Sequence, residues 1–164
     1  MNFQSALADV QALPSGDYAE CGVWQGHSAK HIRATMPEGA TFYLFDSFQG
    51  HQPPGPFDDA AAHPEGRYRD TDEARIRALL PDAVIIPGYI PATLAAVADK
   101  RFRFVNIDVD HYAPTKAAIE FFKSRLVKGG IMRFDDCGAS DCPGATKAVT
   151  ETIGWPCEFY VREV

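Results

Sequence analysis

Hydrophobic positions along this chain follow two alternating rhythms. Short, almost unbroken apolar runs occur at 18–23, 41–45, 83–86, 102–107, 130–134 and 157–161. Between them, apolar residues recur at helical spacing over about 28–36, 71–80, 91–99, 114–126 and 143–153. The first pattern predicts strands buried on both faces, and the second predicts amphipathic helices. Helix starts are marked by Ser28 as a cap and by Pro91, Pro114 and Pro143 at first-turn positions, where the missing N–H is harmless. Lys128-Gly129-Gly130 reads as the end of the fourth helix, since glycine takes the left-handed conformation readily. Strands alternating with helices pair in parallel through right-handed crossovers, so the pattern predicts an open three-layer α/β sandwich. One stretch breaks the rhythm. Residues 50–70 carry four prolines, are too long for a plain connection, and read as a functional or partly mobile loop.

Composition refines this picture without changing it. The chain has 164 residues, 46% hydrophobic and 23% charged, with no internal repeat or linker, so one domain spanning 1–164 is expected. A formal net charge of −6 and the lack of a Lys/Arg block argue against nucleic acid and anionic membranes as partners. No run approaches the ~18 apolar residues of a membrane span. The N-terminus lacks the basic-then-apolar order of a signal peptide, so a cytoplasmic protein is expected. Cys21, Cys137, Cys142 and Cys157 do not suggest a disulfide framework. The 137–142 spacing is wide for half a zinc site and no second pair exists, so the thiols read as reduced.

Ligands of open parallel sheets bind beyond the carboxyl ends of the strands, and the chemistry-bearing residues collect there. The first run ends in Glu20-Cys21-Gly22-Val23-Trp24-Gln25-Gly26-His27-Ser28, and the second in Asp46-Ser47-Phe48-Gln49-Gly50. Gly88 and Tyr89 follow the third, Asp108 and Asp110 the fourth, and Asp135 and Asp136 the fifth. Glycines at 22 and 26 let the backbone approach a ligand, and the helix that follows favours an anionic group. The turn is not GxGxxG, and Glu20 is unwelcome beside a pyrophosphate but suits a cationic amino group. Asp46, 24 residues past Gly22, sits near the ~20 expected of an acid that binds ribose hydroxyls. Ribose and ammonium together suit S-adenosylmethionine better than a nicotinamide dinucleotide. Trp24, Phe48 and Tyr89 are candidates for a wall against a purine.

The acidic residues raise a sharper question. In Asn106-Ile107-Asp108-Val109-Asp110-His111-Tyr112, a hydrophobic strand finishes in two aspartates that share a face if the strand continues. Like charges side by side need an offset. Asp108, Asp135 and Asp136 could share one hard cation, Mg²⁺, Mn²⁺ or Ca²⁺, which leaves Asp110 free as a base. The plainer alternative pairs some of them with Arg103, Arg133 or Lys147. His27, His31, His51 and His63 show no ligand spacing and read as surface or capping residues. His111 adjoins the carboxylates, where a hydrogen bond to Asp110 or a direct catalytic part is expected.

These segments together resemble the macrocin O-methyltransferase family, a class I S-adenosylmethionine-dependent group acting mostly on sugar hydroxyls. The likeness runs through AECGVWQGHSAK (19–30), FYLFDSFQG (42–50), PGYIPATL (87–94), NIDVDHYAPTKAAIEFF (106–122), LVKGGIMRFDDCG (126–138) and CPGATKAV (142–149). It implies a three-layer Rossmann-like sandwich and an S-adenosylmethionine cofactor. It carries Glu20, Gly22, Ser28, Asp46 and Ser47 onto cofactor-contacting positions, beside which Val23, Gly26, Phe48, Gly88 and Asp108 complete the expected cofactor face. It carries Asp108, Asp135 and Asp136 onto divalent-metal ligands, and Asp110 onto the proposed general base. The implied partner is a small hydroxylated acceptor; a homo-oligomer is compatible with the sequence.

Two departures from the family modify the expectation. Strand one begins within about 18 residues, so the N-terminal helices that cover the cofactor in the family are expected to be missing. One strand, not two, follows the fifth helix. The expected sheet therefore has six strands in order 3-2-1-4-5-6 and lacks the usual antiparallel C-terminal strand. His111, where the family usually has an aliphatic residue, and Met132-Arg133-Phe134 are smaller differences. The shortened cover admits a rival reading as a catalytically reduced cofactor-binding domain serving as a partner or subunit. A nicotinamide-dependent oxidoreductase is disfavoured by the missing GxGxxG.

Overall fold

The computed structural model describes residues 1–13 and 15–162. Its strands are β1 (Asp17–Cys21), β2 (Phe42–Asp46), β3 (Val84–Pro87), β4 (Phe102–Ile107), β5 (Leu126–Phe134) and β6 (Phe159–Val161). Its α-helices are α1 (Phe3–Gln11), α2 (His27–Thr35), α3 (Glu73–Leu79), α4 (Tyr112–Lys123) and α5 (Pro143–Ile153). The sheet order is β3-β2-β1-β4-β5-β6, as expected, and β1 to β5 pair in parallel. Alternation along β2 divides the core. Phe42 and Leu44 join the cluster under α1, α2 and α3, whereas Tyr43 and Phe45 join the one under α4 and α5. Both faces are covered, which is why the strands read as continuous apolar runs.

The last strand corrects the expectation that no antiparallel strand would be present. β6 runs antiparallel to β5, with Ile131 opposite Val161 and Arg133 opposite Phe159. The cause lies in the connection. Gly154, at φ 103, ends α5, and the next few residues carry the chain to the C-terminal end of β5. There the Phe134 amide donates to Glu158 O at 2.8 Å. A strand that enters the sheet at that end can only run back along its neighbour.

Other differences are local. α1 is an addition to the expected elements. Asn2 and Ser5 close a reciprocal capping box, and Ala6, Leu7 and Val10 bury against the first face of the sheet. Ser28 does not cap α2; Gly26, left-handed at φ 78, holds that position without a side-chain bond. The expected helix at 91–99 is a 3-10 helix over Ala92–Val97. Lys128-Gly129-Gly130 belongs to β5 and not to the end of α4, which stops at Lys123. Register passes from Phe102↔Leu126 to Phe104↔Ile131, so five steps on β5 match two on β4. The three extra residues form a bulge, and a side chain at Gly130 would stand 2.9 Å from Phe102 O. The left-handed preference that suggested a helix end serves the bulge instead.

Candidate functional site

The C-terminal ends of β1, β2 and β4 open into a cavity of about 530 Å³, lined by Gly22, Val23, Ser28, Asp46, Ser47, Gly88, Asp108 and Asp110 among others. The turn after β1 sits hard against the end of β4. A Cβ on Gly22 would come within 1.6 Å of Asp108 O, so no other residue fits there without moving the strand. Asp46 organises the same turn. Its Oδ2 accepts from Val23 N (2.8 Å) and Trp24 N (2.9 Å), and its Oδ1 accepts from Phe48 N (2.8 Å). One acceptor direction on Oδ1 is left for a ligand hydroxyl. The described non-glycine residues with positive φ are Trp24, Phe48, Tyr68 and Asp110. Three of them line the cavity, and Phe48 lies between Ser47 and Gly50, which also do. Such strain persists only where the surroundings enforce it.

Glu20 lies just beneath. It is fully buried, its Oε1 accepts from Asn106 Nδ2 at 2.9 Å, and its Oε2 has no partner. Burial pushes its carboxyl up to about 7, against smaller opposing effects of Ser28, Asn106 and Arg133. A buried acid with one oxygen unserved fits a site that receives a positive group.

On the far side, oxygens of Asp108, Asp135 and Asp136 lie within 4.8 Å of one another. Burial, then the charges of Asp136 and Asp135, raises the Asp108 carboxyl well above the usual range. Burial and the Asp110 charge push Asp136 up to about 7. Of the three cations named as alternative partners, Arg133 alone reaches the cluster, gripping Asp135 while also bonding Glu158 and Asn106. Arg103 donates to Gly16 O and Lys147 pairs with Glu151. The donor set is all oxygen, which suits a hard divalent ion.

Asp110 does not share a strand face with Asp108. β4 ends at Ile107, and Asp110, left-handed at φ 58, turns the chain so that its own N–H donates to Asp136 Oδ2 at 2.9 Å. Its carboxylate meets two histidines of the 50–70 loop. Oδ2 lies 3.0 Å from His51 Nε2 and Oδ1 lies 3.3 Å from His63 Nδ1. Burial works to raise its pKa, but His51 and His63 outweigh it and hold the carboxyl below its ordinary value. His111 is buried and lines the cavity, with Nε2 3.1 Å from His63 O, so its ring bonds the loop backbone and not Asp110.

Residues 50–70 thus form an ordered cover. The His51 amide donates to Arg67 O and the Gly66 amide to His51 O, folding the loop back on itself. Asp70 takes Trp24 Nε1 at 2.8 Å, and Asp58 takes Tyr112 N at 2.7 Å. His51, His63, Asp58 and Tyr68 were missed as site residues, because the loop pairing that unites them leaves no local spacing in sequence. His27 and His31 are exposed, as expected. Trp24 and Tyr89 line the cavity.

A methyltransferase domain family matches residues 19–137. A relative from Streptomyces olivaceus, 8-demethyl-8-(2,3-dimethoxy-alpha-L-rhamnosyl)-tetracenomycin-C 4'-O-methyltransferase, is 31% identical over 159 residues, covering 87% of this chain and 59% of that protein. The chain therefore spans about three-fifths of the length of that relative. Among solved structures, the O-methyltransferase NovP superposes with a TM-score of 0.79 at 22% identity, covering 98% of this chain and 79% of that one. The calicheamicin methyltransferase CalS11 superposes at 0.74 and 23% identity, covering 92% and 68%. At such identities the structural likeness speaks for the fold.

Proposed function

Because this chain belongs to the methyltransferase domain family, we propose that it is an S-adenosylmethionine-dependent O-methyltransferase, assisted by a divalent cation and acting on a hydroxyl of a small acceptor such as a sugar. The observation that carries this reading is one cavity bordered by the Gly22–Ser28 turn and Asp46 on one side and by Asp108 and Asp110 on the other. The unpartnered Glu20 Oε2 and the free acceptor direction of Asp46 match the amino group and ribose of the cofactor. The sugar acceptor is suggested by the Streptomyces olivaceus relative, which is named for a 4'-O-methylation of a rhamnosyl compound.

In this reading Glu20 balances the ammonium, Asp46 and Ser47 hold the ribose, and Gly22, Val23, Gly26, Ser28, Phe48 and Gly88 shape the surrounding backbone and wall. Asp108, Asp135 and Asp136 hold Mg²⁺ or a similar hard ion. Bound there, the cofactor supplies a methyl group on a sulfonium and the cation supplies charge that favours hydroxyl ionisation. The protein's own part is to align the acceptor oxygen, exclude water with the 50–70 cover, and accept the hydroxyl proton on Asp110. His111 holds the cover closed through His63 O. Calorimetry with S-adenosylhomocysteine and methyl transfer to a panel of hydroxylated acceptors test the proposal. Binding together with transfer that falls at least ~100-fold in Asp110→Asn is expected; no binding to the pure protein would refute it.

A further inference from the structure

The geometry points to a second cation site, distinct in chemistry from the acidic one: His51, His63 and the Asp110 carboxylate form a two-histidine, one-carboxylate set for a zinc-like transition ion. One donor atom from each of the three residues lies within 4.8 Å of the other two. The His51–Asp110 and His63–Asp110 separations are 3.0 and 3.3 Å. Two donors each about 2.1 Å from one ion and at right angles to tetrahedral angles apart stand about 3.0–3.4 Å from each other. Each histidine-to-carboxylate separation therefore falls in that range, with Asp110 offering Oδ2 to His51 and Oδ1 to His63.

His63 supplies the independent observation. Its side chain is 3% exposed, and Nδ1 is buried with no hydrogen-bond partner even though an Asp110 oxygen is 3.3 Å away. Its other nitrogen, Nε2, faces Cys142 Sγ at 3.3 Å and Asp141 Oδ2 at 3.5 Å. Nε2 thus has neighbours that can share or supply its proton, whereas Nδ1 lies beside an anionic oxygen without a hydrogen bond to it. Whichever nitrogen carries the proton, Nδ1 makes no hydrogen bond, and an unserved buried nitrogen is unfavourable; a cation held between the ring and the Asp110 carboxylate would serve both. Metal-bound histidines commonly donate their other N–H to a carboxylate, as Asp141 beside Nε2 allows. Imidazole donors favour Zn²⁺, Co²⁺ or Ni²⁺, whereas the Asp108, Asp135, Asp136 set favours Mg²⁺.

Both histidines come from the 50–70 loop and the carboxylate comes from the end of β4. An ion here ties the cover to the sheet. It also commits the Asp110 carboxylate, so occupancy of this site and proton acceptance by Asp110 exclude one another.

Cobalt titration of the full chain in excess Mg²⁺, which fills any hard-ion site, tests the inference without reference to activity. One Co²⁺ per chain with visible d–d absorption is expected. Asp135→Asn should leave that binding intact, His51→Ala and His63→Ala should each weaken it by at least tenfold, and Asp141→Asn should weaken it about tenfold. Circular dichroism checks that each variant folds, and His51→Gln and His63→Gln serve where alanine does not. Bound Co²⁺ should also slow amide exchange at residues 51–67. Absence of Co²⁺ binding under excess Mg²⁺ would overturn the site in favour of a plain histidine–carboxylate contact. Binding that survives both histidine substitutions, or disappears with Asp135→Asn, would overturn it equally.

Discussion

Glu20 illustrates how one buried residue can couple stability to function. Its carboxyl is raised by burial from 4.5 to about 7. The native chain therefore keeps a proton on Glu20 across a pH range in which the unfolded chain has lost it. A carboxyl raised in this way contributes its stability at low pH and loses it as pH rises through the folded value. Between about pH 4.5 and 7 the free protein should lose roughly 3 kcal/mol from this group alone, at about 1.4 kcal/mol per unit. Glu20→Gln removes the ionisation while keeping the Asn106 bond. The variant should match the parent in thermal midpoint near pH 5 and exceed it at pH 8. Identical midpoint-versus-pH curves for the two proteins would show that Glu20 does not titrate as the structure implies. The same variant should bind S-adenosylhomocysteine at pH 8 about tenfold more weakly, since the proposed partner of the amino group is then uncharged. Unfolding and binding thus move in opposite directions, which a general loss of packing would not produce.

Gly144 makes the corresponding point for whole elements, because it is where the loop meets two helices. A Cβ there would stand 1.9 Å from Asp58 Oδ1, the atom that accepts the Tyr112 amide at the start of α4. Gly144→Ala should displace Asp58, release the loop from α4 and α5, and lower stability by about 1–3 kcal/mol in urea unfolding. It should also expose residues 50–70 to protease. On an Asp58→Ala background the same change should have less than half that effect, whereas equal effects on both backgrounds would place the clash elsewhere. The 50–70 loop was legible in sequence as an interruption, but not as a lid holding His51 and His63. Strand existence was legible because burial on both faces leaves unbroken apolar runs such as Phe102–Ile107. The direction of β6 was not, because it depends on where the Gly154 turn delivers the chain. α1 has apolar residues at 3, 6, 7 and 10 and a cap at Asn2, a helical signal overlooked by a partition that starts at the first strand. The strand-end aspartates were legible as a set; the different surroundings of Asp108 and Asp110 arise from the left-handed turn at 110.

Across the molecule, an acidic chain of net charge −6 places Asp108 and Asp110 in the cavity wall and groups Asp135 and Asp136 with Asp108. Burial and mutual repulsion make a fully ionised cluster unfavourable, and Arg133, shared with Glu158, offsets only part of it. A hard cation would relieve that repulsion for the whole fold. An ion that binds the native state alone stabilises it according to its concentration relative to Kd, by about 2.7 kcal/mol at a hundredfold excess. For a domain of this size that corresponds to a thermal midpoint raised by several degrees, on the order of 2–4 °C per kcal/mol. Mg²⁺ titrated into chelator-treated protein should therefore raise the midpoint, and Asp135→Asn with Asp136→Asn should abolish the rise. In the double variant the cluster repels less, so its midpoint without added ion should equal or exceed that of the parent. Methyl transfer should fall with EDTA and return with Mg²⁺. A parent midpoint indifferent to Mg²⁺, together with transfer indifferent to EDTA, would mean that the aspartates share protons and not a metal.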